Sequence, residues 1–171
     1  MLMKLSLTMM RQKRIIIDYG GLRQVPLGIG IFVFLLDQLI KNFVLESMRL
    51  GESIPVIKDV FHITFVLNPG AAFGMLEHKR WIFIAVALLV ILLALVFYRR
   101  IQKESLATRM GAGLLLGGAM GNLVDRIQTG LVVDYLDFRI WPVFNIADIA
   151  ICMGAAMLIF DMWQRRNDDE E

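Results

Sequence analysis

Asp125 and Asp148 each stand three residues after an asparagine and at the edge of an apolar segment, in Asn122-Leu-Val-Asp125 and Asn145-Ile-Ala-Asp148. A carboxylate at a membrane boundary is costly, so two in matching positions argue for a shared site. Two carboxyl groups that hold one proton between them supply a base and an acid together. That is the equipment needed to hydrolyse a peptide bond with water. For Asp148 alone a capping role competes, because it falls in the first turn of a helix that Asn145 can cap. The matching Asn122/Asp125 arrangement favours the pair.

The other charged residues read differently. Asp37 and Lys41 are four apart on one helix face and can form an ion pair. A lysine partner keeps a carboxylate ionised, which suits a structural acid better than a proton-sharing one. The two are therefore expected to be a buried structural pair that orients the first span. Asp134 and Asp137 fall between the third and fourth spans and read as solvated loop acids, with Asp134 at most bracing the site. Arg126 points about 100° away from Asp125 on a helix and is open to a carbonyl, a lipid head group or the loop. His62 and His78 are too few and too far apart for a metal site. No HExxH, CxxC or GxSxG pattern occurs, and Ser47, Ser53 and Ser105 lack a base at useful spacing. No metal and no cofactor is expected. Cys152 is the single cysteine. It excludes an internal disulfide and reads as inert packing, away from the dyad and indifferent to thiol reagents.

These residues need elements to position them, and the composition says which kind. The chain of 171 residues is 57% hydrophobic, with a mean hydropathy of +0.63, more apolar than a soluble domain of this length. Trp81 to Tyr98 carries no charge and would rise about 27 Å as a helix, close to the hydrocarbon thickness. The expected fold is an integral membrane protein, mainly α, with four transmembrane helices at Pro26–Leu45, Trp81–Tyr98, Met110–Val124 and Ile146–Trp163. Residues 1–24 read as a cytoplasmic tail, residues 25–166 as one membrane domain and residues 167–171 as a solvated acidic tail. The basic tail does not make the first span a signal peptide, because no small-residue cleavage site follows Leu45. Basic residues at Arg99, Arg100, Lys103, Arg109, Arg165 and Arg166 put both termini in the cytoplasm. Asp125 and Asp148 then lie near the outer face. A net charge of +2 gives no reason to expect nucleic acid.

Two local patterns add to this. Phe61, Ile63, Phe65 and Leu67 alternate with His62, Thr64, Val66 and Asn68, and Asn68-Pro69-Gly70 turns the chain. The period of two predicts a strand, and hence a small outer β-rich element between spans one and two. It serves either as an edge for an extended peptide or as a plain capping hairpin. Gly113, Gly117 and Gly121 form a small-residue stripe that allows close helix approach and ends at Asp125.

Taken together, Asp37-Gln-Leu-Ile-Lys41, Asn68-Pro-Gly-Ala-Ala-Phe73, Gly117-Gly-Ala-Met-Gly-Asn-Leu-Val-Asp125-Arg126, Val132-Val-Asp134 and Phe144-Asn-Ile-Ala-Asp148 resemble the signature blocks of bacterial lipoprotein signal peptidase, the type II signal peptidase. The resemblance implies an aspartyl endopeptidase of the bacterial cytoplasmic membrane. Its substrate would be a diacylglyceryl-modified prolipoprotein, cut on the N-terminal side of the lipidated cysteine. It implies Asp125 and Asp148 as the dyad, with Asn68, Gly70, Asn122, Arg126 and Asn145 shaping the site or holding substrate. The signal-peptide helix would lie against spans three and four while the diacylglyceryl chains sit in lipid. A monomer in contact with membrane lipid is expected. The alternative is a small proton-coupled transporter or channel component, since intramembrane acids also mark proton paths.

Overall fold

The computed structural model describes residues 24–70, 76 and 79–170. The N-terminal tail up to residue 23, Ala71–Phe73 of the second block and His78 lie outside the described residues. The chain runs α1 (Val25–Ser47), β1 (Ser53–Ile57), β2 (Phe61–Asn68), α2 (Arg80–Val96), a single turn α3 (Tyr98–Ile101), α4 (Leu106–Gln128), β3 (Val132–Asp137) and α5 (Ile146–Glu170).

Helix α1 carries Pro26 in its first turn, where a missing N–H is harmless and φ is already helical. It buries Gly30, Val33, Asp37, Lys41 and Val44, spaced by three and four. Its outer face shows Phe32, Leu35, Leu39 and Phe43. Polar groups inside and large apolar groups outside invert the soluble pattern and fit a lipid surround. Helix α2 buries none of its residues, and α5 presents Met153, Ile159, Phe160, Met162 and Trp163 outward. Among the described residues, two helices, Val25–Ser47 and Ile146–Asn167, are long and apolar enough to cross a membrane; Arg80–Val96 is apolar but shorter.

Helix α4 is the centre. It is capped by Ser105, whose Oγ accepts the Thr108 N–H at 3.1 Å, so it begins a turn earlier than its apolar run. One glycine face meets α1: a methyl on Gly117 would strike the backbone of Gly30, and one on Gly121 the carboxylate of Asp37. The other meets α5, where Gly118 lies against Ala147 and Gly111 against Gly154. A helix flanked this way has little surface left for lipid, so glycine and polar residues along it carry no lipid-exposure cost.

The three strands form one antiparallel sheet in the order β1-β2-β3. Val66 pairs with Asp134 and Asn68 with Val132 across β2 and β3. Val44, Phe65, Val133 and Tyr135 pack together beneath the sheet and fix it to α1. Strand β3 corrects the expected solvated loop between the third and fourth spans. Its residues are buried almost throughout, so no in-out alternation marks it in the sequence. Helix α5 continues to Glu170.

Candidate active site

The first turn of α5 is built by a reciprocal cap. The Asp148 N–H donates to Asn145 Oδ1 at 2.9 Å, and the Asn145 N–H donates to Asp148 Oδ2 at 3.2 Å. This capping box satisfies helix-start amides and fixes the Asp148 carboxylate at the same time. The other Asp148 oxygen accepts Asn122 Nδ2 from α4 at 2.7 Å. Asn122 and Asn145 are themselves linked, Asn145 Nδ2 donating to Asn122 Oδ1 at 3.2 Å.

Asp125 faces the other way, toward α1. Lys41 Nζ stands 2.8 Å from Asp125 Oδ2 and 2.9 Å from Asp37 Oδ2, and it donates to Asn122 Oδ1 at 2.8 Å. Gln38 Nε2 donates to Asp125 Oδ1 at 3.1 Å, and the Val133 N–H to Asp125 Oδ2 at 3.2 Å. Asp37 is fully buried and also accepts the Ala147 N–H at 3.1 Å. One buried ammonium therefore ties α1 to α4, and one buried carboxylate ties α1 to α5. The spacing of Asp37 and Lys41 anticipates their contact; the reach of Lys41 to Asp125, and the donor Gln38, are long-range and carry no local signal.

Asp134 replaces the expected solvated acid with a buried one. Only 2% of it is exposed. Its oxygens accept Asn145 Nδ2 at 2.6 Å and Asn68 Nδ2 at 2.8 Å, both neutral amides. No described lysine or arginine forms an ion pair with Asp134 or Asp148. Burial, and next the negative charge of Asp148, push the Asp134 carboxyl up to about 7, against the two amide donors and the more distant Lys41. A cavity of about 850 Å³ is lined by Asp134 and Asp148, with Asn68, Gly70, Asn122 and Arg126; Asp125 is not part of its wall.

Arg126 spans the turn after β2 and α2. Its guanidinium donates to the Gly70 carbonyl at 3.0 Å and lies 4.5 Å from the centre of the Phe83 ring, a cation–π contact. Asn68 Oδ1 in turn accepts the Gly70 N–H at 2.9 Å. Three other expectations change. Cys152 is exposed and lines the same cavity as Asp148, one helical turn away, rather than packing inertly at a distance. Asp137 is buried rather than solvated. Ser53 does meet a histidine, its Oγ lying 3.0 Å from His62 Nδ1. That contact sits on the exposed sheet edge, and among the described residues His62 Nε2 has no partner, so no described acid orients it as a triad requires.

A cavity lined by a buried and a half-buried carboxyl group, electrostatically coupled and with no described ion pair on either, has the equipment of an aspartic-type peptidase. Comparison with known proteins gives the particular family. A family profile described as signal peptidase (SPase) II matches residues 29–164. The lipoprotein signal peptidase of Halothermothrix orenii is 53% identical over 135 residues, covering 79% of this chain and 92% of the relative. That of Pelotomaculum thermopropionicum is 49% identical, covering 81% and 90%. A bacterial membrane enzyme solved by the in meso method at 2.3 Å resolution superposes with a TM-score of 0.76 at 31% identity, covering 84% of this chain and 90% of that one. The chain belongs to the signal peptidase II family and is a peptidase. The transporter reading is thereby set aside.

Proposed function

We propose that this chain removes the signal peptide from diacylglyceryl-modified prolipoproteins, cutting before the lipidated cysteine, with Asp134 and Asp148 as its catalytic pair. Four helices, α1, α2, α4 and α5, span the bacterial cytoplasmic membrane, both termini lie in the cytoplasm, and the sheet and cavity lie near the outer face. The chain works as a monomer. The observation that carries the reading is the shared cavity of Asp134 and Asp148, with neutral amides on both acids. It moves the role expected for Asp125 to Asp134. Asp125 holds the Lys41 ammonium at 2.8 Å and faces α1, outside the cavity wall that Asp134 and Asp148 share.

The pair holds one proton, and its titration belongs to the pair rather than to either acid. The ionised carboxylate takes a proton from a water, whose oxygen attacks the scissile carbonyl carbon. The protonated carboxyl gives its proton to the carbonyl oxygen, forming a gem-diol. The proton taken from water then reaches the departing amine of the lipidated cysteine as the C–N bond breaks. As the gem-diol collapses, one of its hydroxyls returns its proton to the dyad, so the new carboxyl terminus is released and the dyad again shares one proton. Asn68 and Asn145 orient Asp134, and Asn122 and Asn145 orient Asp148. Arg126, through the Gly70 carbonyl and Phe83, holds the β2 turn against α2 at the cavity wall. Lys41 with Asp37 and Asp125 fixes the helix positions behind the dyad.

The test is incubation of the purified chain in detergent with a diacylglyceryl-modified prolipoprotein, reading the shortened product by mass. Wild type should release the signal peptide. Asp134→Asn and Asp148→Asn should leave the precursor intact. Turnover by Asp134→Asn above a few per cent of wild type would return the role to Asp125.

A further inference from the structure

The segment joining β3 to α5 is built unlike an ordinary surface loop. Phe138 stacks on Phe144 with ring centres 5.9 Å apart and tilts against Phe61 at 4.9 Å. Leu136 bridges Phe144, so the base is closed like a hairpin. Arg139 takes a left-handed φ of 65°, unusual for a non-glycine residue. It is held there by Asp137, whose oxygens accept the Arg139 N–H at 2.8 Å and its guanidinium at 2.9 Å. Thr64 Oγ1 also donates to Asp137 at 2.7 Å. Burial works against the Asp137 charge, but these three donors outweigh it and keep its carboxyl below the usual range. This polar clamp projects an apolar tip: Ile140 is 93% exposed and Trp141 57%.

The tip is continuous with the catalytic cavity. Phe138, Ile140, Trp141 and Val143 line it together with Asp134 and Asp148. The chemistry of the substrate decides what meets this wall. Cleavage falls just before the lipidated cysteine, so only its Cα and Cβ separate the scissile nitrogen from the lipid-bearing sulfur. The glyceryl group must therefore leave the cavity close to the dyad. The apolar walls of α2 and α5, Val86, Val90 and Met153, run along the helices and suit the signal-peptide helix on the other side of the bond. The rim formed by the loop after Asp134 is left for the departing side.

We propose that the Phe138–Phe144 loop, through Ile140 and Trp141, receives the acyl chains of the substrate's diacylglyceryl group and sets the preference for a lipidated cysteine. This rests on the signal-peptidase reading above and deepens it. The chains are held at the rim before they merge with bulk lipid.

The test uses the full chain in lipid nanodiscs and two prolipoprotein peptides that differ only in acyl length, dipalmitoyl and dibutyryl. Wild type should show the lower KM for the dipalmitoyl peptide. Ile140→Ser with Trp141→Ser should raise that KM roughly tenfold, the scale of two methylenes returned to water. The KM for the dibutyryl peptide and both kcat values should stay within about twofold. Ile140→Leu with Trp141→Phe should restore the preference. Trp141→Ser alone, checked for an unchanged melting temperature, serves if the double variant folds poorly, with a smaller shift of the same kind. Equal loss on both peptides, no change on either, or a wild type blind to acyl length overturns the subsite while leaving the signal-peptidase reading standing. No cleavage of either peptide by wild type overturns both.

Discussion

Three acids in this chain look alike in sequence and differ in what surrounds them. Asp125 contacts Lys41 directly, whereas Asp134 hydrogen-bonds two asparagine amides and feels the charge of Asp148 more strongly than that of the distant Lys41. The motif spacing brings out Asp148, Asn122 and Asn145, because the two Asn-x-x-Asp repeats are local and Asn145 and Asp148 cap one helix turn together. It cannot separate Asp125 from Asp134, because that depends on where Lys41 reaches and on how deeply β3 is covered. Asp125→Asn should therefore lower the yield of folded protein while sparing most turnover per folded molecule. Asp134→Asn should fold and lose turnover by orders of magnitude. The raised carboxyl makes a second, independent expectation. Between its unfolded value of 3.8 and its folded value of about 7, the native protein keeps a proton that the unfolded chain has lost. The stability from this group is complete at low pH and is lost as pH rises through that window. Thermal midpoints in detergent should show wild type declining over this range relative to Asp134→Asn. A flat difference would mean that Asp134 is an ordinary ionised acid. Turnover should also fall above about pH 7, where the shared proton leaves. Cys152 is a steric matter: Cys152→Ala should keep full activity, and a bulky maleimide on the wild-type thiol should block the cavity, which the same reagent on Cys152→Ala would not do.

At the level of elements, α4 governs the geometry, and its glycines were readable as a close-packing stripe before their partners were known. What they pack against was not: α1 closes on one face and α5 on the other. The two faces make α4 the axle that holds Asn122 between Lys41 and Asp148. Gly121→Ala should be severe, because the added methyl meets the Asp37 carboxylate and displaces the Lys41 contacts behind the dyad. Gly28→Ala is the matched control. Nothing lies within 4 Å of its added carbon, and replacing a helical glycine by alanine should stabilise by about 0.5–1 kcal/mol. Melting temperatures should move in opposite directions for the two. Equal effects would mean that the glycines serve helix flexibility rather than close approach. The same network ranks the charge variants. Lys41→Met leaves two buried carboxylates without their cation, whereas Asp37→Asn leaves Lys41 still paired to Asp125. The first should cost more, about 3–5 kcal/mol for a broken buried pair, read as folded yield by size exclusion.

Across the whole molecule, the helices and strand β2 were legible because hydrophobic period and length are local properties. Strand β3 was not, because its two acids disguised a buried segment whose polar groups are satisfied by residues 66 and 73 positions away. The number of membrane crossings stands between these cases. By length and apolarity α1 and α5 qualify, while α2 is 17 residues long, about 26 Å, and α4 is too glycine-rich to register. Yet α2 packs on α4 with none of its residues buried, and α4 lies between α1 and α5, so the two should cross with the others. Both a two-span and a four-span arrangement leave the termini on one side, and tagging the ends cannot separate them. The turn after α3 can. With four crossings Lys103 is cytoplasmic while Lys58, between β1 and β2, is outside. In a Cys152→Ala background, Lys58→Cys in intact cells should react with a membrane-impermeant maleimide, and Lys103→Cys should react only after the membrane is opened. Labelling of Lys103→Cys in intact cells would place α2 and α4 outside the bilayer and undo the four-helix arrangement.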